Sequence, residues 1–259
     1  MAYTALITGA SNGIGMELAK IHASKGGNLV LIARNKLKLN MLKSELVDKY
    51  KILVCVIAMD LSTEGSAQKI YDQTTLEKIQ IDCLINNAGF GDFGFFAQTN
   101  IEKELSMISL NITTLTLMTK LYLRDMLDRK GGRIMNVASI AAFQPGPKMS
   151  VYSATKAYVL SFSQAVGNEV RPQGVTITTL CPGPTKSGFQ AAASMQKSKM
   201  FNNNKLPSSK EVAEYAYDAM IKGKSVAIPG FLNNIMVDIV SFIPRKWVLN
   251  IVRKIQDAA

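Results

Sequence analysis

An apolar run at residues 3–8, YTALIT, leads without a linker into Gly9-Ala10-Ser11-Asn12-Gly13-Ile14-Gly15, and an amphipathic stretch follows over 14–25. Strand, glycine turn and helix in immediate succession predict a βα unit whose turn faces phosphate; a glycine-rich turn without a ligand is the plainer alternative. Gly9 allows the tight turn, Gly13 lets backbone approach a pyrophosphate, and Gly15 lets helix and strand pack closely. The N-terminus of the helix directs unpaired N–H groups and the positive end of its dipole at the anion. Ser11, Asn12 and Ile14 complete the loop as candidate nucleotide contacts.

The alternation continues along the chain. Further strands are predicted at 28–33, 52–59, 83–86, 132–137, 175–181 and 225–228, with intervals long enough for crossover helices. This pattern predicts an α/β fold: a Rossmann-like, doubly wound parallel sheet of about seven strands with helices on both faces. At 259 residues the chain is expected to form a single domain over 1–259, with ligands bound beyond the carboxyl ends of the strands. There is no internal repeat and no low-complexity linker. Residues 187–210 are expected to form a lid loop over the substrate, and 231–259 an apolar and basic C-terminal extension.

In Tyr152-Ser153-Ala154-Thr155-Lys156 a phenol and an ammonium stand four residues apart, which on a helix places them on one face. The cation is expected to favour the ionised phenol, whose ordinary pKa is about 10. Alone this pair is a weak signal. Its weight comes from company: Gly9-x-x-x-Gly13-x-Gly15, Asp60-Leu61, Asn86-Asn87-Ala88-Gly89, Asn111, Ser139, Tyr152 with Lys156, and Pro182-Gly183, in that order.

In spacing and order these motifs resemble the short-chain dehydrogenases/reductases over the first three quarters of the chain; after Ser187 no motif stands out. The resemblance implies an oxidoreductase that interconverts a carbonyl and a secondary alcohol. Tyr152 would be the acid/base, Ser139 would hydrogen-bond the substrate oxygen, and Lys156 would hold the nicotinamide ribose. Asn111 would hold a proton-relaying water; a satisfied buried amide is the other reading of that residue. Asp60 is expected at the adenine amino group, with Leu61 beside it, and Asn87 at the adenosine ribose. Pro182 and Gly183 would form a rigid turn against the nicotinamide, and Thr185 would donate to the carboxamide or pyrophosphate. Dimers or tetramers are the family's habit.

Cofactor choice is read at the end of the second strand. Where an acidic residue would bind both ribose hydroxyls, this chain has Ala33 followed by Arg34, whose planar donor fork suits a 2′-phosphate. NADP(H) is the expected cofactor, with Lys36 a second contact; the plainer alternative is that Arg34 begins a solvated basic helix with Lys36, Lys38 and Lys43.

For the substrate, Phe90, Phe93, Phe95 and Phe96 lie among glycines after Asn87, and either wall an apolar pocket or anchor their loop to the core. Ala141, Phe143, Phe189, Met195, Met200 and Phe201 add apolar candidates. A bulky hydrophobic carbonyl, a steroid or a 3-oxoacyl derivative, is the expected class. A net charge of +11 favours anionic ligands, although the lysines are scattered and no nucleic-acid motif accompanies them. The apolar and basic run at 231–255 is broken by Pro244 into pieces too short to span a bilayer. It would cover the pocket or a subunit interface; association with a membrane surface is the lesser alternative.

Cys55, Cys83 and Cys181 are widely spaced and suit neither a disulfide framework nor a metal site, and the single histidine, His22, argues against histidine catalysis. The start of the chain has no signal-peptide pattern, so a cytoplasmic location is expected. A nucleotide-binding regulator without turnover is the main alternative function. The intact set Asn111, Ser139, Tyr152 and Lys156 weighs against it.

Overall fold

A computed structural model describes residues 3–189, 206–240 and 242–257. Seven strands pair in the order β3-β2-β1-β4-β5-β6-β7, all parallel. They are β1 (Thr4–Thr8), β2 (Asn28–Ala33), β3 (Val54–Ala58), β4 (Cys83–Asn86), β5 (Gly132–Val137), β6 (Val175–Leu180) and β7 (Val226–Ala227). The helices are α1 (Gly13–Ser24), α2 (Lys36–Tyr50), α3 (Ser66–Leu76), α4 (Ile101–Ile108), α5 (Leu115–Asp128), α6 (Ser150–Val170), α7 (Ser209–Ile221), α8 (Phe231–Val240) and α9 (Arg245–Asp257). The strand order reverses between β1 and β4, which opens a crevice above their carboxyl ends.

Because strand side chains alternate, neighbouring residues feed opposite cores. Ile7, Leu29 and Leu31 pack with Leu18, Leu39 and Tyr217 beneath α1, α2 and α7. Leu6, Val30 and Ile32 pack with Ile70, Met118 and Tyr122 beneath α3 and α5. The predicted strands at 28–33, 83–86 and 132–137 match residue for residue, whereas those at 52–59, 175–181 and 225–228 are shorter than expected.

A buried polar chain crosses the sheet. Asn86 Nδ2 donates to Asn136 Oδ1 (2.9 Å) and Thr119 Oγ1 (3.1 Å), and Asn136 Nδ2 donates to Ser163 Oγ (2.9 Å). Satisfied buried amides are demanding in geometry, so these bonds fix α6, through Ser163, against β5. Tyr152 and Lys156 lie on the same helix, and all three side chains are buried.

His22 is buried between α1 and α7. Its Nε2 lies 3.0 Å from the Tyr3 carbonyl and its Nδ1 3.0 Å from the Tyr217 hydroxyl. With Nε2–H donating to the carbonyl, Nδ1 accepts from the phenol, so the neutral ring satisfies both contacts. Gly27 has no side chain because a Cβ there would strike the imidazole. Burial is the largest influence on His22 and holds its pKa below the ordinary 6.5 despite the Tyr3 carbonyl. In the unfolded chain the ring takes up a proton near 6.5; in the folded chain it resists until lower pH. Its contribution to stability is therefore present above 6.5 and is lost as pH falls through the folded value. Urea unfolding on either side of 6.5 should show this loss, and His22→Gln should remove that part of the pH dependence. An unchanged slope in the variant would assign the loss to other groups.

Candidate active site

The glycine loop takes its shape from three features. Gly9 and Gly13 have φ of +68° and +58°, a region costly for residues with a Cβ. Asn12 caps α1, accepting from Gly13 N at 2.8 Å, and the first turn of α1 has no acidic residue to offset its positive end. Asn87 clamps the loop from β4: its Nδ2 donates to the carbonyls of Thr8 (2.9 Å) and Gly9 (3.3 Å). Thr8 completes the clamp, its Oγ1 accepting from the amides of Asn87 and Ala88 at 3.0 and 2.9 Å. Its role was not anticipated from sequence, although a hydroxyl residue ending a strand before glycines is a visible signal.

A cavity of about 540 Å³ lies over the crevice. One wall carries Gly9, Asn12, Gly13, Ile14 and Asn87; the opposite wall carries Ser139, Tyr152 and Lys156; Pro182, Gly183 and Thr185 border it from the end of β6. Eleven of the site residues read from sequence thus meet in one space. Ser11, Gly15, Arg34, Asp60, Leu61 and Asn111 do not line it.

Tyr152 is buried, with the Ser139 hydroxyl near its phenol and the Phe189 ring 5.5 Å away. Ser139 in turn accepts from Ala141 N at 3.1 Å. Lys156 donates to the Val137 carbonyl at 2.8 Å, and its Nζ lies 5.8 Å from the Tyr152 ring centroid. Burial pushes the Tyr152 phenol up to about 12, against the pull of Ser139, and draws the Lys156 ammonium down to about 8. This corrects the expectation that Lys156 lowers the phenol: desolvation exceeds any help from an ammonium committed to a carbonyl. Cys181, read from sequence only as core, also stands against Lys156 and Ser139; burial raises its thiol to about 12, so it stays protonated.

Asn111 does not sit in a continuous helix. A π-helical turn, Ser109–Thr114, separates α4 from α5 and turns Asn111 inward. Its Nδ2 donates to the Phe90 carbonyl and to Thr155 Oγ1, both at 3.1 Å, so it ties that turn to α6 between Tyr152 and Lys156. Its Oδ1 has no protein partner among the described residues. A Cβ on Gly89 would lie 3.0 Å from that oxygen and 3.3 Å from Lys156 Nζ, so both groups flank Gly89.

Arg34 and Asp60 lie farther out along the carboxyl edge, at the ends of β2 and β3. Arg34 is largely exposed and 3.8 Å from Asp60, a loose pair in which the guanidinium remains free to turn. Burial works to raise the Asp60 carboxyl, but two hydrogen bonds from Ser62 and the charge of Arg34 outweigh it and hold the group below its usual range. Leu61 packs its side chain into the core, and its carbonyl accepts from Thr114 and Ser66. Thr185 is buried at the rim and bonds back to the Gly183 carbonyl at 2.9 Å.

The phenylalanine loop resolves both ways. Phe90 and Phe93 pack with Met107, Met149 and Tyr152, behind the cavity, while Phe95 and Phe96 are exposed. None of the four lines the cavity, so the expected aromatic wall is replaced by Ala141, Met149 and Phe189 on one side and Met236, Val252 and Ile255, from α8 and α9, on the other. Phe143 packs in the core instead. Met195, Met200, Phe201 and most of the expected lid at 187–210 lie outside the described residues.

The model of the short chain dehydrogenase family matches residues 3–198. The human very-long-chain 3-oxoacyl-CoA reductase is 35% identical over 183 residues, covering 69% of this chain and 58% of that protein. The human inactive hydroxysteroid dehydrogenase-like protein 1 is 32% identical over 223 residues, covering 83% and 65%. The chain thus spans about six tenths of the length of these relatives. A short-chain dehydrogenase from Sphingobium yanoikuyae, solved in complex with NADPH, superposes with a TM-score of 0.82 at 30% identity, over 94% of this chain and 97% of that one.

Proposed function

Because the chain belongs to the short-chain dehydrogenase family, we propose that it is an NADP(H)-dependent oxidoreductase interconverting a carbonyl and a secondary alcohol on a bulky apolar substrate. The observation that carries this reading is the convergence of Ser139, Tyr152 and Lys156 on a cavity whose facing wall is the glycine loop. The loss of any of these groups would have favoured a binding-only regulator.

NADPH, when bound, supplies the hydride. Gly9, Asn12, Gly13 and Ile14 fit its pyrophosphate, since they combine left-handed glycines, a capped helix start and no competing acidic side chain. The Lys156 ammonium, at the cavity edge, suits the nicotinamide ribose, and Arg34 the 2′-phosphate. Ser139 positions the carbonyl oxygen and Tyr152 gives it a proton from its hydroxyl. Asn111 acts through α6, holding Thr155, which lies between Tyr152 and Lys156.

The apolar lining, with Met149, Phe189, Met236, Val252 and Ile255, supports a hydrophobic substrate. A steroid or 3-oxoacyl derivative fits that description, and the similarity to a 3-oxoacyl-CoA reductase supports the second. For a homodimer or homotetramer the support is a stripe of exposed Ile101, Leu105 and Ile108 on α4.

The reading is tested by following reduced nicotinamide absorbance with NADPH and NADH against steroid ketones, 3-oxoacyl thioesters, quinones and short aldehydes. Turnover of bulky ketones with NADPH is expected; turnover of small hydrophilic carbonyls alone would overturn the substrate class. In the same assay Arg34→Ala should weaken NADPH roughly tenfold to a hundredfold, the worth of a charge-assisted contact, and leave NADH unchanged. An equal loss for both nucleotides would remove Arg34 from the phosphate site.

A further inference from the structure

We propose that α8 and α9 form a docking surface for the headgroup layer of an anionic lipid bilayer. On α8 only Val237 is buried, and the opposite face presents Phe231, Leu232, Ile235 and Ile239, the first two 79% exposed. On α9 the line Val248, Val252 and Gln256 is buried, and the adjoining line Trp247, Ile251 and Ile255 faces outward. Phe242, between the two helices, is 88% exposed. Met236 of α8 and Val252 and Ile255 of α9 line one cavity, which brings the two helices together, and so many large exposed apolar side chains on them mark an interaction surface.

Charge selects the occupant. The α9 segment carries Arg245, Lys246, Arg253 and Lys254 against a single acidic residue, Asp257. The whole chain carries +11. An isologous contact with a second copy would set this basic stripe against itself. An anionic lipid surface accepts both halves of the patch, with rings and aliphatic chains at the acyl boundary and cations among the headgroups. Penetration stays shallow: α8 and α9 have 10 and 13 residues against the ~20 needed to cross a bilayer, and no described helix is long and apolar enough to do so. Met236 and Ile255 belong both to this surface and to the cavity wall, so the docked face would border the cavity.

The test needs no turnover and so stands apart from the oxidoreductase reading. Trp247 is the only tryptophan, and its emission reports directly on the patch. Flotation and fluorescence with phosphatidylcholine vesicles, with and without phosphatidylserine, should show a blue shift and co-flotation for the anionic vesicles. Lys246→Glu combined with Lys254→Glu, both exposed, should weaken partitioning roughly tenfold or more, as should added salt. Ile235→Ser with Ile239→Ser tests the apolar half in the same way. Three results would overturn the proposal: no shift with either vesicle, equal binding to both vesicles by the parent and the charge-reversed chain, or a dimer that already shields Trp247 without lipid.

Discussion

Tyr152→Phe should lower carbonyl reduction by about two to four orders of magnitude, the usual worth of a positioned general acid, while NADPH affinity stays within about twofold. The ring is held by Met107, Met149 and Phe189 around it, so removing the hydroxyl leaves the packing intact. What disappears is the phenolic proton donor beside Ser139. Burial raises that phenol to about 12, so at neutral pH it carries its proton, the form that reduction consumes. Alcohol oxidation needs the phenolate and should accelerate as pH rises, in the parent but not in the variant. Stopped-flow single turnovers with NADPH titrated by calorimetry would separate the two effects. Unchanged turnover in the variant would strip Tyr152 of its role, and lost NADPH binding would make it a nucleotide contact instead.

The second large effect is expected at Gly15. A Cβ there would sit 2.6 Å from the Gly9 carbonyl oxygen and against Asn87 Nδ2, and the first of these is backbone that cannot swing aside. Gly15→Ala must push α1 away from β1 or break the Asn87 clamp. Overpacking of this kind costs about 1–3 kcal/mol, which for a domain of this size lowers Tm by several degrees. NADPH should bind at least tenfold more weakly, because the displaced turn is the phosphate loop. Gly131→Ala is the control: nothing lies within 4 Å of its Cβ and its φ is ordinary, so stability should change by less than about 0.5 kcal/mol. Equal melting temperatures for the two variants would mean that the loop tolerates the shift.

Much of this was legible because the decisive features are local. A strand of β-branched and aliphatic residues, glycines at fixed intervals and a helix start carry their geometry with them, so β1, β2 and the glycine loop needed no tertiary information. The pair Tyr152 and Lys156 followed from helical spacing alone. Its electrostatics did not, since spacing cannot show that the sheet and Phe189 enclose the phenol, or that the ammonium is claimed by Val137. The turn at Asn111 was hidden because the extra residue of a π turn leaves the apolar pattern of MISLNITTLTLM nearly unchanged. Phe90 and Phe95 look alike in sequence; only the placement of Met107 and Met149 decides which is buried. Arg34 was read by type and position, but its distance from the cavity depends on how far apart β2 and β5 lie in the sheet.

The contact between α1 and α7 has a bearing on how the chain is made. Leu18, Ala19 and Ala23 of α1 are covered by Val212, Ala213 and Met220 of α7, and His22 meets Tyr217 across 195 residues of sequence. The segment matched by the family model ends at 198, before α7 begins. The apolar face of α1 is therefore closed by residues beyond that match. On the ribosome the first helix emerges early and has its apolar face covered only when nearly all of the chain is out. During that interval the helix that ends the phosphate loop is exposed, and its burial waits on residues beyond the segment that the family model matches.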